Sequence, residues 1–397
     1  MQNKTLIFVL AAGLITPLAA LADNGNFTFY GRADLSYDFV NTGDGTTTAN
    51  GAAPLKGTSK QVVSSNVSRF GFKGTEDLGE GLSANWQIEQ QINFDDAAKA
   101  TFASRNTYAS LKHEGLGTLL FGINDTPYKT STERLNMFRD NIGDNRSLIG
   151  APKNASGSLA STGTTGTSAF AGASSLGFDL RPTNILMYTT PAFSDTFVPA
   201  LTGLSASVAK VNLTEQNYVS ADKSNKLSSM AVMYDVAPFF ATIAHESHKL
   251  ETIAAGAKES ANRVGLSYKP EVFEIGVAYE KTSDNLGAAG VNKFGHNALY
   301  VGGKYNFGLR AVKLGYTKTG VQGSGAAQIA NSGARQISVG YDHGLSKRTK
   351  LYAVYTKISN GKGINYTFAQ NSGAASASSG GFGASPSVLS LGVYHSF

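Results

Sequence analysis

Residues 26–39 read NFTFYGRADLSYDF, and this stretch indicates an all-β fold. Apolar and polar side chains alternate along it. One face would carry Phe27, Phe29, Ala33, Leu35, Tyr37 and Phe39, and the other Tyr30, Arg32, Asp34, Ser36 and Asp38. Such alternation predicts a β-strand with one apolar and one polar face. The apolar face packs inward in a soluble sandwich, whereas in a membrane barrel it faces lipid and the polar face lines water.

The same alternation recurs further along the chain, at residues 263–269, 273–280, 312–317 and 337–342. Glycine is frequent, with 45 residues, and proline is sparse, with 10. This composition favours strands and tight turns over helices, because an interior glycine weakens a helix by about 1 kcal/mol. A chain of 397 residues could hold several domains, but a β-barrel of this size can be a single one. We therefore predict one domain.

The connections between the predicted strands alternate in length. Short turns are predicted at 76–81, 114–117, 237–238, 269–270, 306–308 and 343–348, and longer polar loops at 42–60, 214–225, 250–259, 283–292, 320–333 and 360–385. Short turns at one rim and long loops at the other are typical of bacterial outer-membrane barrels. Counting strands across these connections gives sixteen. The sequence thus predicts a sixteen-stranded antiparallel transmembrane β-barrel.

The N-terminus predicts export from the cytoplasm. Lys4 precedes an apolar run at 6–14, and Ala20, Leu21 and Ala22 form a small-x-small cleavage site. These are the parts of a secretory signal peptide, so residues 1–22 would be removed and residues 23–397 would form the barrel. No later stretch approaches the ~20 apolar residues that a transmembrane helix needs.

One connection, at residues 124–181, is much longer than the others. A long connection without clear periodicity is rare in a compact domain and is usually functional. It is rich in charge, carrying Glu133, Arg134, Arg139, Asp140, Asp144, Arg146 and Arg181. We expect this connection to fold inward, into the lumen of the barrel, and to set what can pass.

Several motifs resemble those of the general porins of Gram-negative bacteria. They are Tyr30-Gly31-Arg32, SRFGFKGTEDLG at 68–79, SRNTYASL at 104–111, FGINDTPY at 121–128 and the terminal YHSF at 394–397. Ile123 departs from the family, which usually has a basic residue there. The resemblance implies a trimeric sixteen-stranded channel in the outer membrane that admits small hydrophilic solutes and ions by passive diffusion. It also implies that the partners are two further copies of the chain and outer-membrane lipid or lipopolysaccharide.

The resemblance further implies a charged constriction, with arginines on the barrel wall facing acids on the third loop. Carried over by position, the wall residues are Arg32, Arg69, Arg105 and Arg181, and the candidate acids are Glu133, Asp140 and Asp144. Strand alternation independently places Arg32 and Arg69 opposite apolar faces. Charged rings in a pore with low-dielectric walls focus the electric field and bias ion selectivity. Because the basic residues outnumber the acids, we predict a modest anion preference.

Other classes of function are disfavoured. His245 and His248 would point to opposite faces of a strand, so they do not indicate a metal site, and no cysteine is present. No nucleophile–base–orienter arrangement indicates an enzyme or a cofactor. The basic residues are scattered, unlike those of a nucleic-acid groove. Two alternatives stay open: a substrate-specific channel such as a sugar porin, which would want an aromatic ladder along its lumen, and a surface β-protein or adhesin.

Overall fold

The computed structural model describes residues 26–46, 55–95, 102–150, 175–193, 201–213, 225–251, 254–368, 373–374 and 380–397. The predicted signal peptide at 1–22 lies outside these ranges, so the signal and its cleavage after Ala22 stay predictions. Most of the predicted loop at 214–225 and most of the Gly/Ser/Thr-rich part of the long connection also lie outside them.

The described residues form seventeen strands and few helical turns. The strands are β1 (Thr28–Asn41), β2 (Ser59–Ser65), β3 (Arg69–Gly79), β4 (Leu82–Gln91), β5 (Thr107–His113), β6 (Gly117–Ile123), β7 (Ile185–Thr189), β8 (Leu204–Asn212), β9 (Asn225–Val236), β10 (Phe239–Leu250), β11 (Lys258–Tyr268), β12 (Phe273–Asp284), β13 (Asn297–Phe307), β14 (Arg310–Thr319), β15 (Ala334–Gly344), β16 (Thr349–Asn360) and β17 (Ser387–Ser396). One α-helix, α1 (Pro127–Glu133), follows β6, and short 3-10 turns lie at Asn145–Ser147, Ala288–Gly290 and Gly325–Ala327. None of the helices in the described ranges has the length and apolarity to cross a membrane.

The strands pair antiparallel into a closed barrel. β1 pairs with β17, from Arg32 opposite Ser396 to Asn41 opposite Ser387. Its other edge pairs with both β2 and β3, which are separated by residues 66–68, where Val67 has a φ of +56°. Because β2 and β3 lie end to end along β1, they are two halves of one interrupted strand. The seventeen segments therefore make sixteen barrel strands, and the predicted fold class is confirmed.

The side-chain faces follow the predicted alternation. On the apolar face of β1 and the residue before it, Phe27 is 62% exposed and Phe29 51%, whereas Asp34 and Asp38 on the other face are 7% and 0% exposed. Other strands also expose apolar side chains outside, such as Ile243 and Leu266, and bury charged ones inside, such as Arg263 and Glu280. This pattern is the one that lipid outside and water inside require. The inner faces are not uniformly polar, because strands β6 to β9 and β16 also bury apolar side chains there, including Leu120, Ile185, Val211, Leu227 and Val354.

The two rims differ in loop length, as predicted, with one exception. Tight turns join β3 to β4, β5 to β6, β9 to β10 and β13 to β14. At the same rim, however, β7 and β8 are joined by the longer connection 190–203. β7 is also short, at Ile185–Thr189. Sequence alternation is weak in this region, which explains why the length of β7 and of its connection could not be predicted.

The chain end closes the barrel. Phe397 exchanges backbone hydrogen bonds with Gly31, at 3.0 and 3.1 Å. Its ring also covers Gly31, where a Cβ atom would lie 2.5 Å from a ring carbon. Only glycine leaves room for this approach, so the terminal aromatic ring and Gly31 of the first strand form one packed seam.

Candidate functional site

The site is built on residues 124–150, here called the loop segment, which directly follow β6. Thr126 caps α1, because its side chain accepts a hydrogen bond from the backbone N–H of Lys129 at 3.3 Å. Pro127 occupies the start of the helix, where its fixed φ and missing N–H cost nothing. The helix ends at Glu133, and a series of turns carries the charged residues 139–146.

Apolar side chains of the loop segment pack on glycines of the wall. Leu135 lies against Gly276 of β12, where a Cβ would be 2.9 Å from the Leu135 carbonyl oxygen. Phe138 lies against Gly340 of β15, where a Cβ would be 2.8 Å from the Phe138 ring. Both glycines alternate with outward-facing apolar residues, so both lie on the polar face. The missing side chains create the space that Leu135 and Phe138 fill, and both are fully buried.

A buried polar network ties both ends of the loop segment to β11 and β12. The Tyr128 hydroxyl donates to Glu280 at 2.7 Å, and the backbone N–H of Gly150 donates to the same carboxylate at 2.7 Å. Arg263 binds both Glu280 and Asp179, the latter at 2.6 Å. Arg263 and Glu280 are at most 1% exposed. Removing one partner of such a network would leave an uncompensated buried charge, which is strongly destabilising, so the network fixes the position of the loop segment.

A second anchor lies where the chain returns from the long connection. The Phe178 ring stacks on His248 at a centroid distance of 4.9 Å. His248 lies between Glu259 at 2.7 Å and Glu246 at 3.1 Å. His245 contacts Asn262 on the opposite, exposed face, so the two histidines lie on different faces, as predicted.

The predicted wall arginines and a predicted loop acid meet directly. Arg32 of β1 donates to Asp140 at 3.0 Å, and Arg69 of β3 lies 3.7 Å from the same carboxylate. The arginines of the wall and the acid of the loop segment therefore form direct ion pairs. Asp140 is 7% exposed as a side chain.

Glu89 of β4 also belongs to the site, although it is not among the residues predicted from the sequence. It binds Arg105 at 2.5 Å, lies 3.4 Å from Arg69 and accepts a hydrogen bond from the Tyr30 hydroxyl at 3.0 Å. A signal was present, because alternation from the outward-facing Trp86 places Glu89 on the inner face. The weak pattern of β4 as a whole obscured it.

The other two predicted acids organise the loop segment internally. Asp144 is fully buried, accepts the backbone N–H groups of Asp140 and Arg146 at 2.9 and 2.8 Å, and pairs with the Arg146 guanidinium at 2.8 Å. Glu133 pairs with Arg139 at 2.8 Å. Arg139 is the most exposed member of this group, with 43% of its side chain accessible, against 12% for Glu133. The loop segment therefore covers its acids and exposes an arginine.

The predicted Arg181 lies at the other end of the site. It donates to Asn106 at 2.6 Å and pairs with Asp125 at 3.0 Å, and Lys129 binds the same carboxylate at 2.7 Å. Arg181 is thus brought to the start of the loop segment rather than to Asp140.

The electrostatic environment keeps most of these groups ionised at neutral pH. Burial by itself would raise the pKa of Asp140, but Arg146, Arg32 and Arg139 outweigh it and hold that pKa well below its usual range. Lys129 and Arg181 do the same for the pKa of Asp125. Burial raises the pKa of Glu133 despite the nearby arginines. Burial, with Arg181 and Arg69, lowers the pKa of Arg105 to about 10, so Arg105 stays cationic.

We call these residues together the charged cluster. Its members are Arg32, Arg69, Arg105, Lys129, Arg139, Arg146 and Arg181 with Glu89, Asp125, Glu133, Asp140 and Asp144. Seven basic side chains face five acids, which leaves an excess of two positive charges. Among the described residues, no group of three or more His, Cys, Asp or Glu side chains is arranged to hold a metal ion.

Comparison with known proteins gives one consistent result. The family model described as Gram-negative porin matches residues 8–363. Outer membrane porin protein 32 of Delftia acidovorans is 25% identical over 352 residues, covering 88% of each chain. Among solved structures, the anion-selective porin from Comamonas acidovorans superposes with a TM-score of 0.69 at 22% identity, covering 94% of this chain and 100% of that one. The trimer form of OmpT from Vibrio cholerae gives a TM-score of 0.58 at 16% identity over 94% of this chain and 100% of that one.

Proposed function

The chain belongs to the Gram-negative porin family, and on that premise we propose that the loop segment crosses the lumen and that the charged cluster gives the channel a modest anion preference. Membership makes the protein a general porin of the outer membrane, through which small hydrophilic solutes diffuse. The path of the loop segment and the sign of the selectivity are the proposed parts.

The contacts of the loop segment support a path through the lumen. It meets Arg32 and Arg69 on β1 and β3, and also Gly276 on β12 and the Tyr300 hydroxyl on β13. These two groups of strands are well separated around the barrel. All the contacted positions lie on the polar, inward faces. A segment that contacts both groups on their inner faces has to run through the interior and narrow it.

The exposure of Arg139 is the observation that carries the anion preference. Each acid of the charged cluster lies within a few ångströms of at least one cation and is largely covered, whereas Arg139 is 43% exposed. A passing ion therefore meets a net positive charge of two, and Arg139 is the cluster residue most exposed to it. The similar fold of a porin described as anion-selective agrees with this sign.

Within this proposal the predicted residues have different roles. Arg32, Arg69 and Arg105 supply the cationic wall, and Arg181 extends it toward the start of the loop segment. Asp140 and Glu133 balance part of this charge. Asp144 faces no solute, since it is fully buried, and instead holds Arg146 and Asp140 in position.

The reversal potential in a KCl gradient across a planar bilayer tests the selectivity. We expect the wild-type value to be anion-preferring, and Arg139→Gln to lower the chloride-to-potassium permeability ratio by roughly two- to fivefold. One charge about 8 Å away in water is worth about 0.5 kcal/mol for each ion, with opposite signs. Arg335→Gln is the matched control, because Arg335 is an exposed arginine on the outward face of β15. A cation-preferring wild type would contradict the proposed sign, and equal effects of the two variants would remove Arg139 from the pore.

We also propose a homotrimer, because an outer membrane protein of the same fold has been solved in a trimer form. Single insertion events in the same bilayer experiment should then open in three equal steps. Single-step openings from monodisperse protein would contradict a trimer of independent channels.

A further inference from the structure

Part of the inner wall of the barrel is apolar toward the long-loop rim. On β1, β15, β16 and β17, several positions that strand alternation turns inward hold apolar side chains that are almost completely buried. They are Val40, 2% exposed, Ala334, 6%, Val354 and Ile358, both 0%, and Val388, 1%. A water-filled lumen would leave these side chains exposed, so another apolar part of the chain covers this side of the wall.

The cover is the last connection, residues 361–386, of which 361–368, 373–374 and 380–386 are described. Ile364, Tyr366 and Phe368 belong to the same apolar cluster as the five wall residues, and each is at most 1% exposed. We call these three side chains the plug. Because the plug packs on the inward faces of neighbouring strands, the last connection lies inside the mouth of the barrel.

Hydrogen bonds hold the last connection along the inner wall. Asn360, the last residue of β16, exchanges hydrogen bonds with the backbone of Tyr366 at 2.9 and 3.0 Å. The Gln322 side chain donates to the Tyr366 hydroxyl at 3.0 Å. Further along, the backbone N–H of Ala374 donates to the hydroxyl of Ser64, a fully buried residue of β2, at 3.0 Å. The last connection therefore reaches from β16 to β2.

The plug also packs against the loop segment. Phe138, Ile142 and Leu148 belong to the same cluster as the plug and are at most 1% exposed. The two connections and the wall of β15 to β17 thus share one apolar core, and burial of apolar surface stabilises such a core against entry of water. Arg69 of β3 and Arg105, just before β5, lie outside this core.

We propose that the plug closes the β15–β17 side of the lumen and confines solutes to the side of Arg69 and Arg105, so that the plug sets the largest solute that passes. Its side chains are uncharged, so it limits the size of a solute and not its charge. The inference rests on the proposed path of the loop segment and is independent of the proposed anion preference. Neutral solutes therefore test the plug separately from ion selectivity.

The test is the swelling rate of liposomes that contain the full-length protein, in neutral sugars of increasing size. The variant Tyr366→Ser/Phe368→Ser removes two rings of the plug. We expect the rate for a trisaccharide, relative to a monosaccharide, to rise roughly threefold or more, and the single-channel conductance in KCl to rise by roughly half, because both depend on the open width of the pore. Heat-modifiable migration on a denaturing gel establishes that the variant folds.

The matched control is Leu55→Ser/Phe102→Ser. Both residues are apolar and lie in other connections of the long-loop rim, but they are 43% and 68% exposed. Since neither belongs to the apolar core, the control should keep the wild-type conductance and the wild-type dependence of swelling on sugar size. An equal change in the control and in the plug variant would refute the proposal.

A second variant, Val354→Ser, tests the same contact from the wall. If the plug covers Val354, a serine hydroxyl there weakens the packing, and larger sugars should enter faster than in wild type. If Val354 faced water, serine would leave the size limit unchanged. Wild-type swelling and conductance in the folded Tyr366→Ser/Phe368→Ser and Val354→Ser variants would overturn the proposal, whatever the reversal potential shows about anion preference.

Discussion

Replacing Asp140 with Asn should loosen the loop segment without unfolding the barrel. Asp140 pairs with Arg32 at 3.0 Å and with Arg146 at 3.1 Å, and Arg69 and Arg139 lie 3.7 and 3.8 Å away. The carboxylate is 7% exposed and its two close partners are 13% and 12% exposed, so solvent screens these pairs weakly. The substitution keeps the shape of the side chain and removes its charge, leaving four guanidinium groups around a neutral amide.

The expected magnitude follows from the cost of breaking a buried ion pair by neutralising one partner, about 3–5 kcal/mol. Because strand pairing stabilises the barrel itself, we expect the lost ion-pair free energy to lower the cost of local opening of the loop segment and not the stability of the barrel. Hydrogen exchange of its amides should accelerate by a factor of at least about a hundred, since each 1.4 kcal/mol is tenfold. The excess positive charge also rises by one, so the anion preference in the bilayer should increase.

Asp235→Asn is the matched control. Asp235 pairs with Arg134, which also lies in the loop segment, but the two side chains are 57% and 41% exposed. Exposed ion pairs contribute about 0–1 kcal/mol, so the hydrogen-exchange rates of the loop-segment amides should change little in Asp235→Asn. If Asp140→Asn and Asp235→Asn gave the same exchange rates and the same reversal potential, the ion pairs of Asp140 would not hold the loop segment.

Two other predictions concern pH and the barrel seam. Burial raises the pKa of Glu133, whereas the arginines depress the pKa of Asp140. Acidification from neutral pH should therefore protonate Glu133 first and strengthen the anion preference. The variant Glu133→Gln should abolish this increase in anion preference, and an increase of the same size in the variant would assign the effect to another group. The stability that Asp140 contributes should be complete above the usual carboxyl range near pH 4 and should be lost only as the pH falls from there through its depressed pKa. Gly31→Ala should destabilise the seam by about 1–3 kcal/mol, because its Cβ would meet the Phe397 ring at 2.5 Å. The measurement is the temperature at which heat-modifiable migration is lost, which should fall in this variant. Adding Phe397→Leu should restore part of the lost stability.

Residues in contact across long stretches of sequence were harder to predict than strand faces. Alternation located Arg32 and Arg69 on the inner face of the barrel. It could not show that Arg32 would bind Asp140, 108 residues later, because that contact depends on the path of the loop segment. The interruption at Val67 was also missed, since a single residue with positive φ leaves the alternation on either side almost intact.

The sequence by itself determined the barrel and its orientation between lipid and water. Successive side chains of a strand point to opposite faces, so the two-residue period of a strand shows which face contacts lipid and which contacts water. The loop lengths distinguish the rim with long loops from the rim with short turns. Only the tertiary structure decided which charged side chains meet. The loop segment brings Asp140 against the arginines of β1 and β3, Glu89 of β4 pairs with Arg69, and Arg139 is left exposed. Charge pairs among residues so far apart in sequence depend on how the chain closes in space, and no local pattern encodes that.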